Sequence, residues 1–116
     1  LSAFCGAVSA GAGAGAGIAY LMGTDLDGIS HTVANAIATT GGIVCDGAKA
    51  SCASKIATAV EAGILGYNMH VQNQNFQPDD GLVGDTPEDT IANIGRLGKE
   101  GMKGTNEEII KIMVGE

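Results

Sequence analysis

Eight residues near the start of the chain, Ala10 to Gly17, simply alternate alanine and glycine. They lie inside a charge-free stretch running from Leu1 to Gly23. A helix through this run carries glycines that each cost about 1 kcal/mol relative to alanine. Close approach of neighbouring backbones is the obvious compensation. The rest of the composition points the same way. The chain has nineteen glycines, no Trp, two Tyr and two Phe, so its core gains contacts through small residues. Strands favour β-branched and aromatic residues, and no period-two alternation is long enough for a strand. The expected fold is all-α, a compact bundle of about five helices with Gly/Ala-rich, closely packed members. Residues 1–116 make one domain with room for a modest core.

Several function classes are disfavoured. A net charge of -7 repels phosphate backbones and anionic membrane surfaces, so nucleic acid and membrane are not expected partners. The charge-free stretch is long enough for a span, and its small residues suit helix packing in lipid. However, Ala and Gly are weakly apolar, no Lys or Arg flanks the stretch, and Asp25 and Asp27 follow it at once. Gly11, Gly13 and Gly15 superficially resemble a nucleotide loop. No strand precedes them and no Gly-Lys-Ser/Thr is present.

The remaining elements follow from periodicity and caps. Leu26, Ile29, Val33 and Ile37 give a helix from Asp25 to about Thr40, capped by Thr24 or Asp25 and ended by Gly41-Gly42. Ala48 to about Asn68 is a third helix, its stripe drawn from Ile56, Val60 and Ile64 with Ala53 and Ala57. His70 to Asp85 reads as a polar surface loop. Thr86-Pro87-Glu88-Asp89 starts a fourth helix, with Ile91, Ile94 and Leu97 as its buried stripe. Gly101 to Gly104 breaks it. Thr105 and Glu108 then form a capping box for a last helix that packs Ile109, Ile112 and Met113.

The chemistry centres on three cysteines. Cys45 and Cys52 flank a short loop, Asp46-Gly47-Ala48-Lys49-Ala50-Ser51, and Cys5 lies far upstream. An odd count without a secretory pattern favours reduced thiols in a cytoplasm over a disulfide framework. Cys52 falls in the first turns of the third helix, and helix N-termini suit anionic ligands. Three readings stay open. The thiols pack as small hydrophobes; they join His31 or His70 around zinc, although no Cys-x-x-Cys is present; or they hold an iron–sulfur cluster with one open iron. Asp46 is either a helix cap or an aid to proton transfer. Lys49 either holds a substrate carboxylate or is solvated. Ser51 and Ser54 read as capping or packing groups, and His31 and Asn35 as residues of the second helix that could face the site.

Specific segments resemble a known family. These are Phe4-Cys5-Gly6-Ala7-Val8, Ile18-Ala19-Tyr20-Leu21-Met22-Gly23, Gly42-Ile43-Val44-Cys45-Asp46-Gly47-Ala48-Lys49-Ala50-Ser51-Cys52-Ala53-Ser54-Lys55 and Ile91-Ala92-Asn93-Ile94-Gly95-Arg96-Leu97-Gly98-Lys99-Glu100-Gly101-Met102. Together they resemble the C-terminal part of the serine dehydratase alpha-chain family, in its L-cysteine desulfidase-like branch. The resemblance implies an oxygen-sensitive [4Fe-4S] cluster, with Cys5, Cys45 and Cys52 at the cluster-binding positions. It also implies β-elimination of a small amino acid to pyruvate and ammonia, with sulfide if the substrate is cysteine. Family members are longer, and this chain opens at Leu1 rather than Met, so it is expected to be the C-terminal part of a longer polypeptide. That remainder is then a partner and supplies the substrate pocket and catalytic base. A homo-oligomer stays open, as does a non-catalytic helical module with buried free cysteines.

Overall fold

The computed structural model describes residues 4–116. Five α-helices follow in order: α1 (Gly6–Leu21), α2 (Leu26–Thr40), α3 (Cys52–Val71), α4 (Pro87–Arg96) and α5 (Lys103–Val114). A π-helical turn, Leu97–Gly101, joins the last two. Among the described residues the extended structure is a single antiparallel bridge between Phe4 and Val44. No helix is long and apolar enough to cross a membrane among the described residues.

The alternating run forms the packing seam anticipated for it. Gly11 of α1 lies against Ala59 of α3, and a Cβ on Gly15 would sit 2.7 Å from the Cα of Gly63. These pairs advance together along both helices, so α1 and α3 run parallel. The opposite face of α1 is open: Gly13 and Gly17 would meet nothing within 4 Å. Helix α2 runs antiparallel to both, with Asn35 beside Gly66 and His31 beside His70. Gly66 is again a close approach, its notional Cβ 2.9 Å from the Thr32 carbonyl oxygen.

This seam overturns the expected stripe on α3. Its buried residues are Ala59, Ala62, Gly63 and Gly66, while Ile56 and Ile64 are exposed. Backbones this close leave no room for large aliphatic side chains between them. The helix also begins four residues later than expected, at Cys52, after turns over residues 48–51.

Asp25 caps α2 by accepting from the Gly28 N–H at 2.9 Å. Thr86 and Asp89 form a capping box at α4, with Pro87 in its first turn. The stripe expected on α4 reduces to Ile94, which packs on Ala12, Ala36 and Ile37; Ile91 and Leu97 are exposed. The break at Gly101–Gly104 is instead a widened π turn that leads into α5. Thr105 therefore lies inside α5 and caps nothing, and α5 has no buried residue. Ile112 and Met113 stand exposed, contrary to expectation. The radius of gyration, 14.7 Å, exceeds the about 13 Å typical for this length, consistent with an arm beyond the three-helix core. The loop after α3 is more than a solvated surface segment, because Val83 is buried and Phe76 bonds back to α2.

Candidate functional site

The parallel course of α1 and α3 puts the N-terminal ends of both helices at one end of the bundle. Cys5 is the N-cap of α1, and Cys52 is the first residue of α3. Helix α2 delivers the chain to the same end. After Gly41 it runs extended beside the start of the chain, where the Cys5 N–H donates to the Ile43 carbonyl at 3.1 Å. The Phe4–Val44 bridge completes this short pairing. Cys5 is buried with Ala7 and Ala59, and Cys45 packs against that cluster. Gly47 then turns the chain at φ +98°, a left-handed conformation that favours glycine. The Cys52 thiol donates to the Gly47 carbonyl at 3.5 Å. All three cysteines are free thiols, and the loop between Cys45 and Cys52 is half-buried at the cysteines themselves.

One turn into α3, Lys55 reaches back over this loop. Its ammonium donates to the Val44 carbonyl at 3.0 Å and to Asp46 Oδ1 at 2.7 Å. The hydrogen bond from Lys55 holds the Asp46 carboxyl below its ordinary range, partial desolvation opposes this, and the charges of Lys49 and Lys55 add to it. Lys55 is raised in turn, first by the bond to Asp46, with the negative charge of Asp46, Cys5 and Cys52 adding to it against desolvation. Lys49 stands 3.8 Å from the other Asp46 oxygen and is half-exposed.

These contacts revise the expectations for the loop. Asp46 does not cap α3, whose N-cap is Ser51 without a side-chain bond. It is committed to two lysines, and a carboxylate so stabilised is a weak proton acceptor. Ser51 and Ser54 are local, with Ser54 Oγ donating to the Ser51 carbonyl at 2.9 Å. Lys55 is the residue that the sequence reading passed over as a site residue. The available signal was its spacing of three from Cys52, which puts both on one helical face.

The cysteine sulfurs are spaced too widely to close on one small ion as they stand. Tetrahedral zinc with 2.3 Å bonds draws its thiolates to about 3.8 Å from one another. Among the described residues, the three ligand atoms that gather within 4.8 Å belong to Asp27, His31 and His70, not to the cysteines. A cubane takes each thiolate on a different iron, and so accepts a wider triangle of sulfurs. Here one cysteine stands at each of two helix N-termini and one on the loop between them.

His31 and Asn35 do not face the cysteines. They lie along α2 towards the far end of α3, beside His70 and Gly66. Asn35 is fully buried, and the Phe76 N–H donating to its Oδ1 at 3.1 Å fixes its orientation. Its amide N–H groups therefore donate to the Gly66 carbonyl and to Asn75 Oδ1, both at 3.0 Å. That turns the Asn75 amide N–H towards His70 Nδ1, 3.1 Å away. His70 thus accepts at Nδ1 and carries its proton on Nε2. The His31 and His70 rings stack at 5.4 Å with 16° between their planes. The two rings are thus a stacked pair, His70 held by Asn75 and His31 lying 3.6 Å from Asp27 Oδ1.

The family model for the serine dehydratase alpha chain matches residues 1–111. A UPF0597 protein of Desulfitobacterium hafniense (strain Y51) is 61% identical over 116 residues, covering 100% of this chain and 27% of the relative. A UPF0597 protein of Finegoldia magna is 53% identical over 114 residues, with 98% and 27% covered. One from Treponema denticola is 41% identical, with 98% and 26% covered. The chain thus spans about a quarter of the length of these relatives. No solved structure matches it.

Proposed function

The chain belongs to the serine dehydratase alpha chain family, and on that premise we propose that it is the cluster-binding C-terminal part of an amino-acid β-eliminating lyase. The carrying observation is the convergence of Cys5, Cys45 and Cys52 on one end of the bundle from segments far apart in the chain. In this reading Cys5, Cys45 and Cys52 hold a [4Fe-4S] cluster, which supplies an open Lewis-acid iron for a substrate carboxylate and leaving group.

The chain's own residues prepare that chemistry. The Phe4–Val44 pairing and the buried Cys5 cluster hold one wall of the site out of water. Lys49, half-exposed beside the loop, is placed to meet the carboxylate of an incoming amino acid. In the elimination the Cα–H bond and the Cβ–O or Cβ–S bond break, and water or hydrogen sulfide leaves. The enamine that results, 2-aminoacrylate, gains a proton at Cβ to become the imine, and hydrolysis of that imine gives pyruvate and ammonia. The proton acceptor comes from the part of the polypeptide that the relatives have and this chain does not span, because Asp46 is held by its lysines. Reduced thiols of this kind suit a cytoplasmic enzyme.

The competing reading, a non-catalytic helical module, draws on Cys5, which packs with Ala7 and Ala59 as a small hydrophobe would. The two separate by activity. Full-length protein purified without oxygen should release pyruvate from L-serine or L-cysteine. Cys45→Ala should abolish that release while leaving the helix content unchanged. Pyruvate release that survives in Cys45→Ala would refute the lyase assignment to this site.

A further inference from the structure

Cys45 is bracketed. The residue before it, Val44, offers its carbonyl to Lys55, and the residue after it, Asp46, offers its carboxylate to the same ammonium. Lys55 lies one turn after Cys52, on the same face of α3. One cation therefore ties the Cys45 segment to the helix that begins at Cys52. We propose that Lys55 is a positioning residue of the three-cysteine site, acting both as fastener of the Cys45 segment and as fixed counter-charge for the thiolates.

The physical need is plain. Three thiolates in a chain of net charge -7 repel one another wherever water is excluded. A cation fixed beside them offsets that repulsion without having to move when the cluster binds. An ammonium has three N–H donors. Two are engaged by Val44 and Asp46, which holds the ammonium over the loop. Asp46 then acts as the anchor that keeps the ammonium over the loop, and this explains why it is committed to lysine rather than to catalysis. Lys55 is only 23% exposed, against 49% for Lys49, so its charge is the less screened of the two.

The inference rests on the cysteines being cluster ligands, and its test separates the two ideas. Full-length wild type, Lys55→Gln, Lys55→Arg and Asp46→Asn are reconstituted without oxygen. The rate of iron release to a chelator and the reduction potential of the cluster are then measured. Outer-sphere partners of metal ligands typically contribute 10–100-fold in retention. Lys55→Gln should release iron at least about tenfold faster than wild type, and its cluster should be harder to reduce. Lys55→Arg, which keeps the charge, should return the potential towards wild type, which a purely structural role would not do. Asp46→Asn should release iron about three- to tenfold faster, and it decides the matter if Lys55→Gln fails to fold. Wild-type iron release and potential in Lys55→Gln, or in Asp46→Asn where Lys55→Gln is unfolded, would overturn the role of Lys55 and leave the lyase reading standing. So would a potential in Lys55→Arg that stays with Lys55→Gln. Failure of wild type to take up iron would overturn both.

Discussion

Two alanine substitutions, two residues apart in α1, should act in opposite directions. A Cβ on Gly15 would lie 2.7 Å from Gly63 Cα and 3.0 Å from its carbonyl oxygen. The first contact is 0.7 Å short of the 3.4 Å at which ordinary van der Waals contact begins. The opposing atoms are backbone, so no side chain can rotate away. α1 and α3 would have to part along a seam that also includes Gly11 and Ala59. Overpacking of this kind costs about 1–3 kcal/mol, and the rigid neighbours place it near the upper end. The better helix propensity of alanine returns about 1 kcal/mol. Gly15→Ala should therefore destabilise by about 2 kcal/mol. Gly13 meets nothing within 4 Å, so Gly13→Ala keeps the propensity gain of up to about 1 kcal/mol without the clash. Urea unfolding followed by circular dichroism reads both, as midpoint shifts at constant m. Midpoints that move in the same direction, or a Gly15→Ala variant as stable as wild type, would refute the close-packed seam.

Other outcomes follow from single contacts. Asn35→Ala should cost about 1–3 kcal/mol in the same assay, because it strands the Phe76 N–H inside the protein and removes a second donor from the Gly66 carbonyl; a loss below about 1 kcal/mol would mean that water replaces the side chain. Thr86→Ala removes the capping box of α4 and should cost about 1 kcal/mol. The Asp46–Lys55 pair predicts pH dependence on both limbs. Asp46 is lowered on folding, so its contribution is present above the unfolded carboxylate value of about 3.9 and is lost as pH falls through the lower folded value. Lys55 is raised, so its contribution is present below about 10.4 and is lost as pH rises through the folded value. Asp46→Asn should remove both contributions, and stability curves that superpose at acid and alkaline pH would contradict the pairing.

Much of this molecule was legible in its sequence, and the misreadings share a cause. The Ala10–Gly17 run pointed correctly to close helix contact, and the caps at Asp25 and Thr86 are where their side-chain chemistry puts them. On α3 the large aliphatics were taken for the core, although a helix pressed against glycine backbone buries its smallest residues and turns Ile56 and Ile64 outward. The last helix was misread for a similar reason, because Ile112 and Met113 look like a stripe but stand exposed, the tip of Met113 meeting the Gly47 turn and not another helix. The gathering of Cys5 with Cys45 was suggested by the placement of the three cysteines and sharpened by family likeness. It depends on a short Phe4–Val44 pairing between segments some forty residues apart, which no local pattern announces. Lys55 escaped notice because its partners, Val44 and Asp46, lie across a loop whose path only the folded structure gives.

The most direct test of the central claim is iron and acid-labile sulfide per chain, measured on the full-length protein purified and reconstituted without oxygen. Iron and sulfide matching one cubane per chain, lost together in Cys5→Ala, Cys45→Ala and Cys52→Ala, is the predicted result. Wild-type protein that holds neither iron nor sulfide after reconstitution would contradict it, and would return the three cysteines to the packing of the bundle.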